Sequence, residues 1–153
     1  MSTNGNFKDA MSLVPTSVAI VWSTDEQNQV FGCTISSFIS VSVIQDCEEV
    51  AFILRTNSKT GERIRNSKNF NISILNRNQQ SIAKIFSQGL LSADLNLAIK
   101  ANSMWFEESV CEFSLAMKQE IALENSTIFV ASVKSFSSRP NLQPLVYSAR
   151  KYL

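Results

Sequence analysis

The sequence contains no histidine. That absence removes every mechanism built on an imidazole: Ser-His-Asp and Cys-His nucleophilic sites, and His-ligated zinc or haem. Glycine and proline are scarce, 4 and 3 in 153 residues, so no flexible linker or low-complexity tract divides the chain. The three cysteines, Cys33, Cys47 and Cys111, are too few and too widely spaced for a disulfide framework or a CxxC metal site. They read as free thiols of a reducing compartment. No apolar run approaches the roughly 18–20 residues of a membrane span. The opening stretch, Met1 to Asn6, is polar and lacks the charged-then-apolar layout of a secretory signal. Fourteen Lys+Arg against 13 Asp+Glu leave a net charge of +1, with no bulk attraction to nucleic acid or an anionic membrane. The expectation is a cytoplasmic protein with a single domain over residues 1–153, no metal, no nucleic acid and no membrane partner.

What is present is apolar enough to bury a core, at 44% hydrophobic residues. Phe7, Ala10, Met11 and Val14 fall at helical spacing, and Pro15 ends that helix. Val18 to Trp22 reads as a buried strand, and Gln29 to Ile35 as its hairpin return across a polar turn. Gly32, inside that return strand, marks a bulge or a close approach by a ligand or another backbone. Val50 to Leu54, Asn69 to Leu75, Val110 to Met117 and Thr127 to Phe136 complete a set of about six strands. A short basic helix runs from the Thr56–Thr60 loop through Asn66, and an amphipathic helix spans Gln79 to Phe86. Residues 87–108 read as a helix or irregular connection. Short turns between strands favour a mainly β, six-stranded antiparallel barrel with short helices over a doubly wound parallel sheet.

Two segments carry candidate chemistry. Gly32 to Ser42 crowds Thr34, Ser36, Ser37, Ser40 and Ser42 between apolar residues. As one strand, its even positions would form a hydroxyl-lined wall suited to the polar edge of a planar ligand; the blander reading is a solvated strand face. Asn57-Ser58-Lys59-Thr60 follows a strand and opens a helix. Its hydroxyls, its lysine and the helix N–H groups suit a phosphate, whereas the blander reading is capping by Ser58 or Thr60. No P-loop spacing is present. Tyr147 and Tyr152 are the only tyrosines, either ligand-stacking or packing anchors. Glu107, Glu108 and Glu112 read as solvated, because carboxylate catalysis needs two groups converging on one bond.

In these motifs the chain resembles the short-chain flavin reductases of two-component monooxygenase systems, from Phe7 to Tyr152. The family's F-x-x-A opening appears as Phe7 to Ala10, and its P-T-G-V as Pro15 to Val18, with Ser17 in place of the glycine. The pattern G-x-T-x-S-S-F-x-S-V-S is matched throughout by Gly32 to Ser42 and is the most specific stretch. S-x-T-x-x-x-I appears as Ser58, Thr60 and Ile64, and P-L-V-Y as Pro144 to Tyr147. The resemblance implies an FMN-binding split β-barrel of six-stranded Greek-key type, a homodimer, FMN or FAD as flavin, and NADH or NADPH as co-substrate. Reduced flavin would pass to a separate oxygenase. By position it implies that Thr34, Ile35, Ser36 and Ser37, with Ser40, hold the flavin ring and ribityl chain through backbone N–H groups and hydroxyls. Asn57, Ser58, Lys59 and Thr60 would hold the phosphate, with Phe86 packing near. Asn125 and Ser126 stand where the family carries a histidine beside the nicotinamide, and Ser148 replaces a second one; Tyr147 and Tyr152 complete the nicotinamide-side candidates. No residue is singled out as catalytic. A second implied reading is a flavin-binding accessory protein with weak NAD(P)H activity.

Overall fold

The computed structural model describes residues 5–89 and 108–153. The elements follow in the order α1 (Phe7–Ser12), β1 (Thr16–Ser17), β2 (Ala19–Thr24), β3 (Val30–Ile35), β4 (Ile39–Ser42), β5 (Glu49–Arg55), α2 (Lys59–Ser67), β6 (Asn69–Ile74) and α3 (Gln80–Ser87). β7 (Cys111–Ala122), β8 (Ser126–Ser138), β9 (Val146–Ser148) and β10 (Lys151–Tyr152) complete the chain. The expected strands and helices are found, with two differences. The main sheet has seven strands rather than six, in the order β3-β2-β6-β7-β8-β5-β4, beside a separate three-stranded sheet β1-β9-β10. The strand absent from the sequence reading is β4, because Gly32 to Ser42 is not one strand: it breaks at Ser36–Phe38. The leucine-rich stretch at 90–107 lies outside the described residues.

All pairings are antiparallel. Of the four successive strands β5 to β8, the first lies beside the last, a Greek-key arrangement. Strands β3 and β4 are the two edges of the sheet, yet only three residues join them. Four Cα steps span at most about 14 Å, so the seven-stranded sheet curls until its edges approach. Register shifts at Ser114/Leu115 and Met117/Gln119 in the β7–β8 ladder bend it further. Where β4 ends its pairing at Ala51, Ser37 takes over: its hydroxyl accepts from Ile53 N (2.9 Å) and donates to Ile53 O (3.2 Å). Ser37→Ala removes both bonds and should lower stability by about 1 kcal/mol. An unchanged urea midpoint would contradict that role.

The concave side is filled by aromatics. Phe52 stacks on Phe129 at 5.2 Å and meets Phe70 edge-on at 5.5 Å; Ile64 of α2 joins them in the same cluster. The opposite face of β2 and β3 carries a second cluster, Val18, Ile20, Val30, Leu75, Ala83, Phe86 and Leu145, which the two tyrosines flank. Ala19 and Val21 therefore face one core and Val18 and Ile20 the other, which explains the uninterrupted apolar run.

Candidate functional site

Helix α2 starts where β5 stops. Ser58 is its N-cap, with Oγ accepting from Gly61 N at 3.2 Å. The capping reading of Ser58 therefore holds, and the cap uses its oxygen as acceptor only, leaving the O–H able to donate. The first intrahelical backbone bond runs from Glu62 N to Ser58 O. Lys59 N–H and Thr60 N–H thus have no backbone partner among the described residues, the usual state of a first helical turn and a ready anion site. Lys59 is exposed beside them and Asn57 lies exposed one residue ahead of the cap.

The other candidate segment differs from its sequence reading. Thr34 Oγ1 donates to Ala83 O of α3 at 2.6 Å, and the Ser37 hydroxyl is spent on β5. Ser36 lies in the break, and Ser40 belongs to β4 on the opposite sheet edge. The continuous hydroxyl wall of Thr34, Ser36, Ser40 and Ser42 does not form, because a strand that crosses from one sheet edge to the other cannot keep one face. What the break leaves open is backbone. The N–H groups of Ser36, Ser37 and Phe38 have no backbone partner among the described residues. Such donors suit a planar ligand edge rich in acceptors.

A cavity of about 590 Å³ joins β3 to α2. Phe31, Gly32 and Cys33 form one side, and Ser58, Lys59, Thr60 and Arg63 the other, with Phe86 closing it from α3. Its strand wall is β3, which pairs only with β2. Gly32 is closely approached by the backbone of β2: a Cβ there would lie 2.4 Å from Val21 O. The Cys33 thiol is hydrogen-bonded to Thr60, but burial outweighs that bond and pushes its pKa up. Cys33 is thus a neutral thiol at physiological pH, a wall rather than a nucleophile. Its reaction with iodoacetamide should stay slower than that of exposed Cys47 up to about pH 9; equal rates by mass spectrometry would contradict this.

Asn125 and Ser126 lie at the β7–β8 turn. Asn125 O accepts from Thr56 N at 3.2 Å, and Ser126 pairs with Arg55, so this turn rests against the loop that leads to Ser58. Tyr147 and Tyr152 are elsewhere. They meet edge-on at 5.2 Å and flank the second cluster on the α3 side; burial, then Tyr147, raises the Tyr152 pKa. No hydrogen bond or ring contact joins the tyrosine pair to Asn125 or Ser126 among the described residues. The sequence reading missed Phe31, and took Arg63 only as one of the cations, with Arg55, Arg65 and Lys68, that keep the surroundings of Asn57 to Thr60 positive. Arg63 lies over the Phe31 ring at 5.0 Å, and its spacing four residues after Lys59 was the available signal.

Geometry of this kind defines an antiparallel β protein with a cavity between a sheet edge and the open N-terminus of a helix. The family model described as flavin reductase like domain matches residues 11–153, and the chain belongs to that family. It is 25% identical over 150 residues to the NADH-dependent flavin reductase StyB of Pseudomonas fluorescens, covering 95% of this chain and 86% of the relative. The styrene monooxygenase flavin reductase SMOB of Pseudomonas putida S12 shares its fold, with a TM-score of 0.82 at 21% identity over 97% of this chain and 96% of that one. So does the NADH:FAD oxidoreductase SgcE6 of Streptomyces globisporus, with a TM-score of 0.81 at 18% identity over 95% and 89%.

Proposed function

We propose that this chain reduces flavin with NADH or NADPH and releases the reduced flavin to a separate oxygenase. The observation that carries the reading is the cavity between the N-terminus of α2 and β3, a sheet edge among the described residues, which leads on in sequence to Ser36–Phe38, whose amides have no backbone partner among those residues. Lys59 and the Lys59 and Thr60 amides would hold the flavin phosphate. The Ser36–Phe38 amides would take the acceptor edge of the ring, with Cys33 and Phe86 as apolar walls. Flavin and pyridine nucleotide, when bound, would supply the redox chemistry of hydride transfer. The chain orients them and excludes water; no residue has to hold a proton in flight.

With no histidine in the sequence, no side chain of ordinary pKa titrates between about pH 5 and 8. The kcat/KM for NADH should therefore be flat across that range, and a bell-shaped profile within it would contradict the proposed site.

Asn125 and Ser126 favour one second reading. They present an amide and a hydroxyl where the family carries its histidine, so flavin binding with feeble NAD(P)H turnover is the alternative. Flavin-dependent oxidation of NADH and NADPH by the purified protein separates the two. Turnover supports the reductase reading; flavin binding without turnover supports the accessory one. Ser126→His should lower the NADH KM if Ser126 borders the nicotinamide.

A homodimer is part of the proposal. Its support is β4, an edge strand with Ile39 and Val41 exposed, followed by exposed Val43 and Ile44. No helix among the described residues is long and apolar enough to cross a membrane. Its three free cysteines suit a reducing cytoplasm.

A further inference from the structure

Ser37 ties the break between β3 and β4 to β5, since its hydroxyl bonds both backbone groups of Ile53. The Ser36–Phe38 segment therefore runs beside β5 at that level. Two residues earlier the chain has left: Ile35 belongs to β3 and pairs with Ala19 of β2. Past Ile53, β5 has no strand beside it on this side among the described residues. Arg55 stands there. Side chains alternate along a strand, and Phe52 and Leu54 enter the aromatic core, so Ile53 and Arg55 share the outer face, both exposed. From the position beside Ile53, Arg55 is one diagonal away, about 7–8 Å, which a long side chain spans. Its carbonyl accepts from Ser58 N at 3.0 Å, so the same residue also opens the loop into α2. Nearby cations are engaged, Arg65 with Glu120 and Arg63 on the Phe31 ring. The Arg55 guanidinium has no hydrogen bond, ion pair or ring contact among the described residues.

The charge balance of hydride transfer says what a free cation here can do. The C4–H bond of the dihydronicotinamide breaks, both electrons leave with the hydrogen, and an N–H bond forms on the flavin. The nucleotide is oxidised and the flavin reduced. No proton follows from solvent, so a neutral ring gains one negative charge. We infer that Arg55 matches that charge: its guanidinium, beside the Ser36–Phe38 amides, stabilises the anion of the reduced ring over the oxidised ring. The amides meet acceptor atoms in both oxidation states, whereas a full positive charge discriminates between them. A guanidinium keeps its proton at every working pH, so the charge is fixed and adds no titration to the flat profile expected above. The inference rests on the flavin reading and deepens it, by giving the ring end of that site its cation.

The test compares affinities for the two oxidation states. Binding of riboflavin and FMN to the full chain, each oxidised or reduced with dithionite, is measured by anaerobic ultrafiltration for wild type, Arg55→Gln and Arg55→Lys. Riboflavin has no phosphate, so contacts at the α2 N-terminus drop out of its ratio. Arg55→Gln should lower the affinity for the reduced form relative to the oxidised form by about five- to tenfold for both flavins, the scale of a solvent-screened charge. Arg55→Lys keeps the charge and should hold the ratio within about threefold of wild type. An equal loss for both oxidation states overturns the inference and leaves the flavin reading standing. So does a loss confined to FMN, which would assign Arg55 to the phosphate, and so does an unchanged ratio with a raised NADH KM. Failure of wild type to bind either flavin overturns both readings. A measurement on wild type alone guards against a folding defect in the variants. Reduced riboflavin bound to the protein should keep the absorption spectrum of its anion at a pH where free reduced riboflavin has become neutral, and a neutral spectrum there overturns the inference.

Discussion

Gly32→Ala is expected to destabilise the protein by about 3 kcal/mol or more, at the upper end of overpacking substitutions. The added methyl would lie 2.4 Å from Val21 O, 2.9 Å from Trp22 Cβ and 3.1 Å from Trp22 Cα. Two of those three atoms are backbone in β2, and β2 is pinned on both sides, to β3 and to β6. It cannot retreat without pulling Val21 from one core cluster and Ile20 from the other. Gly61→Ala is the natural comparison. There the methyl meets the tip of Phe129 at 3.3 Å, and the alanine gains roughly 1 kcal/mol of helix propensity. That variant should be near neutral. Urea unfolding of both reads the contrast directly, and equal midpoints would contradict the packing described for β2 and β3.

Lys59→Glu is expected to weaken FMN and FAD binding by about 30- to 100-fold while leaving the helix intact. The reasoning runs in opposite directions for the two properties. An acid in the first helical turn is favourable to the helix, by about 0.3–1 kcal/mol. In the proposed site the same acid would face the ligand's phosphate and replace an attraction by a repulsion. For two unit charges about 4 Å apart the Coulomb energy is ~4 kcal/mol at an effective dielectric of 20. Lys59 is exposed, so solvent screening reduces this to about 2–3 kcal/mol for the full reversal. Riboflavin has no phosphate and should lose far less affinity. An equal loss for riboflavin would mean that Lys59 acts on the ring or on the fold, against the phosphate assignment. The salt dependence of FMN affinity should also be shallower in the variant.

Much of the architecture was legible because it rests on local chemistry. The two-sided apolar run at Val18 to Trp22, the alternation Phe70, Ile72, Ile74 and the spacing of Ile82, Ile85 and Phe86 each declared their element. The extra strand was not legible, since Ile39 to Ser42 continues the alternation of Val30 to Ile35 with no proline or glycine between. Only the closing of the curled sheet forces the chain to break there. The site divided in the same way. Ser58 to Thr60 could be read as a helix start with open amides from residue types alone. The fate of the hydroxyls of Thr34 and Ser37 could not, because their partners, Ala83 O and the Ile53 backbone, are 49 and 16 residues away. Sequence pattern marked that segment as special and offered both its hydroxyls and its backbone amides, without dividing the work between them. The hydroxyls hold the fold, and the amides they leave exposed are what a ligand can use.

The absence of histidine bears on the proposed reaction in the same spirit. The proposed site relies on amides, cations and apolar walls, and hydride transfer between two bound cofactors asks for no imidazole. The most direct test is anaerobic mixing of the purified protein and FAD with excess NADH, following loss of the oxidised flavin absorbance in a stopped-flow instrument. The account predicts rapid bleaching that depends on the protein, with one NADH consumed per flavin and a strongly reduced rate for Lys59→Glu at subsaturating FAD. Bleaching no faster than in the protein-free control, with FAD shown to be bound, would contradict it.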